Sequence, residues 1–154
     1  MVLARGYTRP WDCFFLRAET FYNVASYVEE LGGNTASAFG ERSLHEQSHG
    51  ESFFALFRER FRGHGLYLLD EPEGALSTQN CLTCLRRVHE LVSDGSQFII
   101  ATHSPLVLAY PHATIYNCTE HGVEEVAYED AEPVRLTQSF LDARERFLEQ
   151  LLSD

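Results

Sequence analysis

The feature that most constrains the fold is a short apolar run that ends in two acids. Residues 65–77 read GLYLLDEPEGALS, and the run Leu66–Leu69 stops at Asp70 and Glu71. A short continuous apolar run is typical of a strand that is buried on both faces of a parallel sheet. Because parallel strands are joined by long crossovers, usually helices, the run predicts an α/β fold.

A helix and a second buried strand follow this run. Residues 78–93 carry apolar side chains at helical spacing, and Ser77 precedes them as the predicted N-cap. The stretch QFIIAT (97–102) has the composition of another buried strand. Strand, helix and strand together form a β-α-β unit, whose crossover is normally right-handed.

Three further segments carry apolar side chains at helical spacing. FYNVASYVEELGG (21–33) ends at a glycine pair, ESFFALFRERF (51–61) turns its phenylalanines to one side, and residues 137–152 carry leucine and phenylalanine on one face. The runs ATIYNC and VEEVAY flank Thr119–Gly122, which is the signature of a β-hairpin. These patterns predict a parallel sheet flanked by helices, followed by a C-terminal hairpin and helix.

Length and composition fit one domain. The chain has 154 residues, of which 44% are hydrophobic, and this is enough for a core. We expect a single domain over residues 1–154, with a helical region over 34–62 and an α/β part over 65–154. The opening residues show no signal-peptide pattern, and no apolar stretch approaches the roughly 20 residues of a membrane span. A cytoplasmic location is therefore expected.

The charge of the chain disfavours nucleic acid as a partner. The net charge is −11, there is no lysine, and the twelve arginines are scattered among acids. Binding to phosphate backbones without sequence preference requires clustered Lys and Arg, so this chain alone is not expected to bind DNA or RNA.

The cysteines have an ordinary interpretation. Cys81 and Cys84 form a C-x-x-C pattern, but no second pair or histidine pair follows at zinc-finger spacing. Because residues three apart share one face of a helix, the favoured interpretation is two reduced thiols side by side on the predicted helix.

The residues that carry chemistry stand at the ends of the two predicted strands. Ligands of open parallel sheets bind at the carboxyl ends of the strands. Asp70 and Glu71 end the first strand, and Thr102 and His103 end the second. One carboxylate could hold Mg²⁺ through a water, a second could orient or deprotonate an attacking water, and a histidine could donate to a phosphoryl oxygen.

Four motifs resemble those of the ATP-binding-cassette class of P-loop ATPases. LYLLDEPE (66–73) is similar to the Walker B motif, GALS (74–77) to the D-loop, ATHSP (101–105) to the switch-histidine loop, and QSHGES (47–52) to the cassette signature. Their order and spacing agree with the class. The signature is closer to that of soluble members, namely chromosome-maintenance, recombination and small bacterial AAA-type ATPases, than to that of transporters.

The resemblance implies a role for each matching residue within one nucleotide site. Asp70 would help to hold Mg²⁺, Glu71 would be the catalytic carboxylate that positions water, and His103 would contact the γ-phosphate of ATP. Glu19, in FFLRAE, could stand where these enzymes have a glutamine that senses Mg²⁺, although a solvated surface glutamate is the alternative interpretation.

The resemblance also implies a head-to-tail homodimer. Ser48, Gly50 and Glu51 of the signature would reach the ATP that a second subunit holds, because a helix N-terminus favours an anion. The D-loop, which ends at Ser77, would connect the two sites. Two departures weaken the match: Ser77 replaces the usual aspartate, and His49 replaces a glycine.

The Walker A loop, G-x-x-x-x-G-K-[ST], is absent from the sequence. In the family this loop precedes the signature and cradles the phosphates through its backbone and its lysine. We therefore interpret the chain as the C-terminal part of such an ATPase, active only with a Walker A half and dimerisation; it could be a truncated gene product, a fragment or one piece of a split protein. The missing strands would lie beside Leu66–Leu69, so open strand edges and exposed apolar surface are expected.

Two alternatives remain at this point. The chain could be a non-catalytic interaction or regulatory module that does not bind ATP by itself. It could also be a metal-dependent nuclease built on the acids Asp70, Glu71 and Glu73, although such an enzyme normally needs further acids on other strand ends.

Overall fold

The computed structural model describes most of the chain in two compact units. The described residues are 10–19, 57–58 and 60–153. The units are Met1–Thr102 and His103–Asp154. The predicted helix over 21–33 and the signature residues Ser48, Gly50 and Glu51 lie outside the described residues, so these predictions stay predictions.

The first unit is built on a three-stranded parallel sheet in the spatial order β1-β2-β3. The strands are β1 (Asp12–Arg17), β2 (Gly65–Asp70) and β3 (Gln97–Ala101). The two predicted strands are thus confirmed. The expectation that missing strands flank Leu66–Leu69 is wrong, because β2 is paired with β1 on one side and with β3 on the other.

An α-helix connects β2 to β3 where the apolar spacing predicts it. Helix α1 spans Thr78–Ser93, and the Ser77 side chain caps it by accepting a hydrogen bond from the Asn80 N–H at 3.3 Å. A short 3-10 helix, Pro72–Ala75, lies between β2 and the cap. The buried face of α1 consists of Cys81, Cys84, Val88 and Leu91.

Aromatic side chains cover one face of the sheet. Phe57 and Phe61, whose side chains are fully buried, come from the segment before β2. The ring of Phe61 stacks on Tyr67 of β2 at a centroid distance of 4.2 Å, and Phe98 of β3 lies 5.2 Å from Tyr67. Arg87 of α1 donates to the Phe61 carbonyl oxygen at 3.2 Å, so α1 and this segment lie on the same side of the sheet.

Tyr67 occupies the centre of this core. Its side chain is completely buried, and its hydroxyl donates to the Arg62 carbonyl oxygen at 2.9 Å, as a buried phenol requires. Its ring also lies against the backbone of Gly65. A Cβ atom at Gly65 would be 2.4 Å from the ring, so only glycine fits there while Tyr67 keeps this position.

The opposite face of the sheet carries exposed apolar side chains. The aromatic segment and α1 both lie on the face of the sheet that carries Tyr67. On the other face Phe15, Leu68 and Ile99 are direct neighbours across the three strands. Phe15 is 60% exposed and Ile99 55% exposed. The expectation of exposed apolar surface is therefore met by this face, although both edges of β2 are paired.

The second unit combines helices with the predicted hairpin. A short helix α2 (Pro105–Leu108) is followed by the antiparallel strands β4 (Ile115–Thr119) and β5 (Gly122–Val126). After a 3-10 turn at Tyr128–Asp130, two helices follow, α3 (Glu132–Asp142) and α4 (Arg144–Leu152). In the described part of the chain no helix is both long and apolar enough to cross a membrane.

The expectation of a single C-terminal helix over 137–152 is wrong. The helical segment begins earlier, at Glu132, and breaks at Ala143, where φ is −139° and ψ is 45°. Alanine has the highest helix propensity, so local preference does not set this break. An edge-to-face contact between Phe140 and Phe147, 5.5 Å between ring centroids, packs side chains on the two sides of the break together.

An ion pair fixes the amino end of the sheet. Arg60 forms a two-point interaction with Asp12 of β1, in which its Nη2 lies 2.9 Å from Asp12 Oδ1 and its Nη1 bonds to Oδ2. The guanidinium also lies over the Phe14 ring at 5.1 Å. The hydrogen bonds from Arg60 hold the pKa of the Asp12 carboxyl below its usual value, against the opposing effect of burial.

We expect Asp12→Asn to destabilise the protein at neutral pH by about 1–3 kcal/mol, because charge-assisted hydrogen bonds are lost. Since the folded pKa of Asp12 is depressed, its contribution is present above the unfolded pKa and is lost as the pH falls through the folded pKa. Urea unfolding of both proteins at pH 7 and near pH 3 measures this. A difference in unfolding free energy that does not shrink in acid would contradict the assignment.

Candidate functional site

The acid pair stands at the carboxyl end of the central strand. Asp70 is the last residue of β2, and its direct neighbours in the sheet are Arg17 at the end of β1 and Ala101 at the end of β3. The Glu71 N–H continues the ladder by donating to the Ala101 carbonyl oxygen at 2.9 Å. The sheet therefore presents Asp70 and Glu71 at the edge where open parallel sheets bind ligands.

Asp70 forms an ion pair with Arg17. The Nε–H of Arg17 donates to Asp70 Oδ2 at 2.6 Å. The two side chains are 49% and 27% exposed. Sequence reasoning missed Arg17 because it missed β1, although the continuous apolar run Cys13–Leu16 is the same signal that predicts β2.

Glu71 has an unusual backbone conformation. Its φ of 49° and ψ of 51° place it in the left-handed region, which residues other than glycine rarely adopt. The turn that follows is closed by a hydrogen bond from the Gly74 N–H to the Glu71 carbonyl oxygen at 2.9 Å. Residues in such conformations cost about 1–3 kcal/mol and cluster at functional sites. The conformation turns the chain sharply away from β2 and leaves Glu71 exposed.

The segment after Glu71 is anchored to the end of β3. The Thr102 hydroxyl donates to Glu73 Oε1 at 2.7 Å. Pro72, between the two glutamates, is buried. These two contacts hold the 3-10 turn against the first unit, so Glu71 projects from a segment that is fixed on its C-terminal side.

The other predicted site residues have separate positions. His103 directly follows Thr102, is exposed and is the first residue of the second unit. Ser77 caps α1, which is a structural role. Glu19 is exposed, two residues after Arg17. The predicted roles of these three residues in nucleotide binding or signalling stay predictions.

The strand end fits a magnesium ion only when other ligands complete the coordination. Mg²⁺ is usually held by one or two carboxylates together with waters and substrate phosphates. Asp70 supplies one such carboxylate, and Arg17 bonds to its Oδ2. Within residues 10–19, 57–58 and 60–153 no three acid, histidine or cysteine side chains are placed to hold a metal ion. The nuclease hypothesis, which needs several acids around a metal, therefore gains no support.

The C-x-x-C pair is part of the core. Cys81 and Cys84 are both buried on α1, and burial raises the pKa of the Cys84 thiol to about 12. Burial also raises the pKa of the Cys81 thiol. Both groups are neutral at pH 7, whereas metal binding and nucleophilic attack require the thiolate. The interpretation of two ordinary reduced cysteines agrees with this position.

We expect a thiol reagent to distinguish two classes of cysteine in the folded chain. The exposed Cys13 and Cys118 should react rapidly at pH 8, and Cys81 and Cys84 only when the protein is unfolded. Colorimetric thiol titration with and without denaturant measures this. Rapid reaction of all four thiols in native buffer would mean that α1 does not bury its cysteine face.

The strain at Glu71 gives a stability prediction. At an ordinary helical or strand position, a protein with glycine is less stable to unfolding than the same protein with alanine by about 0.5–1 kcal/mol. At Glu71 we expect the opposite order, with Glu71→Gly more stable than Glu71→Ala by about 0.5–1 kcal/mol, because glycine adopts a positive φ without strain. Chemical denaturation of the two variants measures the difference. The same pair at Glu90, within α1, is the matched control and should show the ordinary order.

Comparisons with known proteins assign no relative to the chain. No family model, no curated protein and no solved structure matches it.

Proposed function

We propose that this chain forms the Walker B part of an ATPase of the ATP-binding-cassette class. The observation that carries the proposal is the position of Asp70 and Glu71 at the carboxyl end of the central strand of a parallel sheet. The fold is α/β, as that class requires, and its sheet, α1 and hairpin follow the chain in the order that the motif resemblance implies. The proposed ligands are ATP and Mg²⁺.

In this function Asp70 and Glu71 have different tasks. Asp70, which ends a strand and is partly shielded, holds Mg²⁺ through a carboxylate oxygen or a water. Bound Mg²⁺ neutralises charge on the transferring phosphoryl group. Glu71 is exposed at the tip of the fixed turn, where its carboxylate can orient or deprotonate the attacking water. His103 donates a hydrogen bond to a γ-phosphate oxygen.

The site is completed by groups that this sequence does not contain. Because the chain has no lysine, the Walker A loop of this site must come from outside these 154 residues. The signature residues Ser48, Gly50 and Glu51 belong to the same proposal, in which two copies arrange head to tail around two ATP molecules.

Replacement of Glu71 is the decisive test of this proposal. In a complex of the chain with a Walker A polypeptide, we expect Glu71→Gln to keep ATP binding and to lower turnover by about 10²–10⁴-fold, since only the general base is lost. Phosphate release and equilibrium ATP binding are measured for each variant. Glu125→Gln, on the exposed strand β5, removes the same charge elsewhere and should retain full turnover. Unchanged turnover in Glu71→Gln would remove Glu71 from its role.

A non-catalytic interaction module is the second candidate function. It is favoured by the ion pair between Arg17 and Asp70, which engages the proposed metal ligand within the chain itself. The two functions differ in what the Walker A partner adds. If the complex with that partner binds ATP but the wild-type protein produces no phosphate, the interaction module is the better description.

A further inference from the structure

One charged group lies within reach of the proposed metal ligand. Arg17 and Asp70 are direct partners in the register of β1 and β2, so their side chains leave the sheet on the same face. The Arg17 Nε lies 2.6 Å from Asp70 Oδ2. Because both side chains are partly exposed to solvent, a cation from solution can reach this carboxylate without opening the core.

We propose that the Arg17 guanidinium is bound to the Asp70 carboxylate in the nucleotide-free protein. A divalent cation must displace the guanidinium to bind that carboxylate. The inference rests on the proposed function, in which Asp70 is the Mg²⁺ ligand. A divalent ion on Asp70, bound directly or through one water, would be within a few ångströms of the guanidinium. Two like charges at that separation repel each other, so both cannot hold the same carboxylate at full strength.

The exposure of the pair decides how strong this competition is. Exposed ion pairs are weak, so a divalent cation can compete with the guanidinium for the carboxylate. A buried pair would instead exclude the metal. Arg17 therefore binds Asp70 reversibly and lowers the affinity of Asp70 for the metal ion.

The test titrates Mn²⁺, a paramagnetic substitute for Mg²⁺, into the ¹⁵N-labelled chain and follows the broadening of the Asp70 and Ala101 amide signals. We expect Arg17→Gln to lower the apparent dissociation constant of Mn²⁺ by about two- to five-fold. Arg86→Gln is the matched control, because Arg86 is an exposed arginine of the same unit that pairs only loosely with Glu90, at 3.5 Å. It should leave the constant within experimental error.

A double-mutant cycle assigns the effect to the pair. When Asp70 is replaced by Asn, the broadening at this strand end should disappear, and Arg17→Gln should then change nothing. A second measurement uses the wild-type protein and needs no folded variant. The Nε–H signal of Arg17 should shift when Mg²⁺ is added, and an unshifted signal at a Mg²⁺ concentration at which Mn²⁺ binds would contradict the displacement.

The outcomes separate this inference from the proposed function. If Mn²⁺ broadens the Asp70 region and Arg17→Gln has no effect, or weakens binding, the competition is refuted and the metal role of Asp70 stands. If Mn²⁺ leaves the Asp70 region unchanged in both proteins, Asp70 does not bind a cation in the chain alone and the competition is refuted, whereas the metal role proposed for the complex with ATP is tested separately by the turnover of that complex.

Discussion

The whole first unit depends on the pairing of β2 along both of its edges. The register places Arg17, Asp70 and Ala101 side by side at one end of the sheet. It places Tyr67 between Phe14 and Phe98 in the middle of the sheet. Tyr67 is buried because Phe61 stacks on it from the preceding segment and Phe98 lies beside it from β3. The same strand therefore supplies the core through its middle residues and the candidate chemistry through its last one.

The two proposed properties of Asp70 follow from its place at the boundary of the core. A carboxylate at a strand end is shielded enough to be held in position and exposed enough to meet a ligand. Arg17 fits this boundary as well, because its β1 position puts a long, flexible cation opposite the acid. The ion pair also offsets part of the negative charge at this end of the sheet, where Glu71 and Glu73 lie.

Local patterns in the sequence predict the parts of the fold that depend on neighbouring residues. The helix Thr78–Ser93 with its Ser77 cap and the hairpin could be predicted from spacing and turn residues alone. The pairing of strands that are distant in the sequence could not be predicted from such local patterns. The ion pair of Arg17 with Asp70 depends on the register between two strands, in which the two residues are 53 positions apart in the sequence. The residue pattern of either strand alone does not predict this pair. The break at Ala143 likewise does not follow from local propensity, because alanine favours the helix.

The left-handed conformation of Glu71 shows the same limit for the candidate site. Its sequence context, an acid before proline, is typical of a turn, but a residue before proline is expected to be extended and not left-handed. The hydrogen bonds of Glu71 to Ala101 and Gly74 then fix the rest. The identity of the acids could be predicted from the sequence, and their geometry could not.

The close packing of Tyr67 on Gly65 also has an evolutionary consequence. Within a chain that keeps this core, the two positions are not free to drift separately, since a side chain at one is accommodated only when the ring at the other is given up. Any descendant sequence that keeps the tyrosine should therefore also keep the glycine, and a larger residue at position 65 should appear only together with a change at position 67.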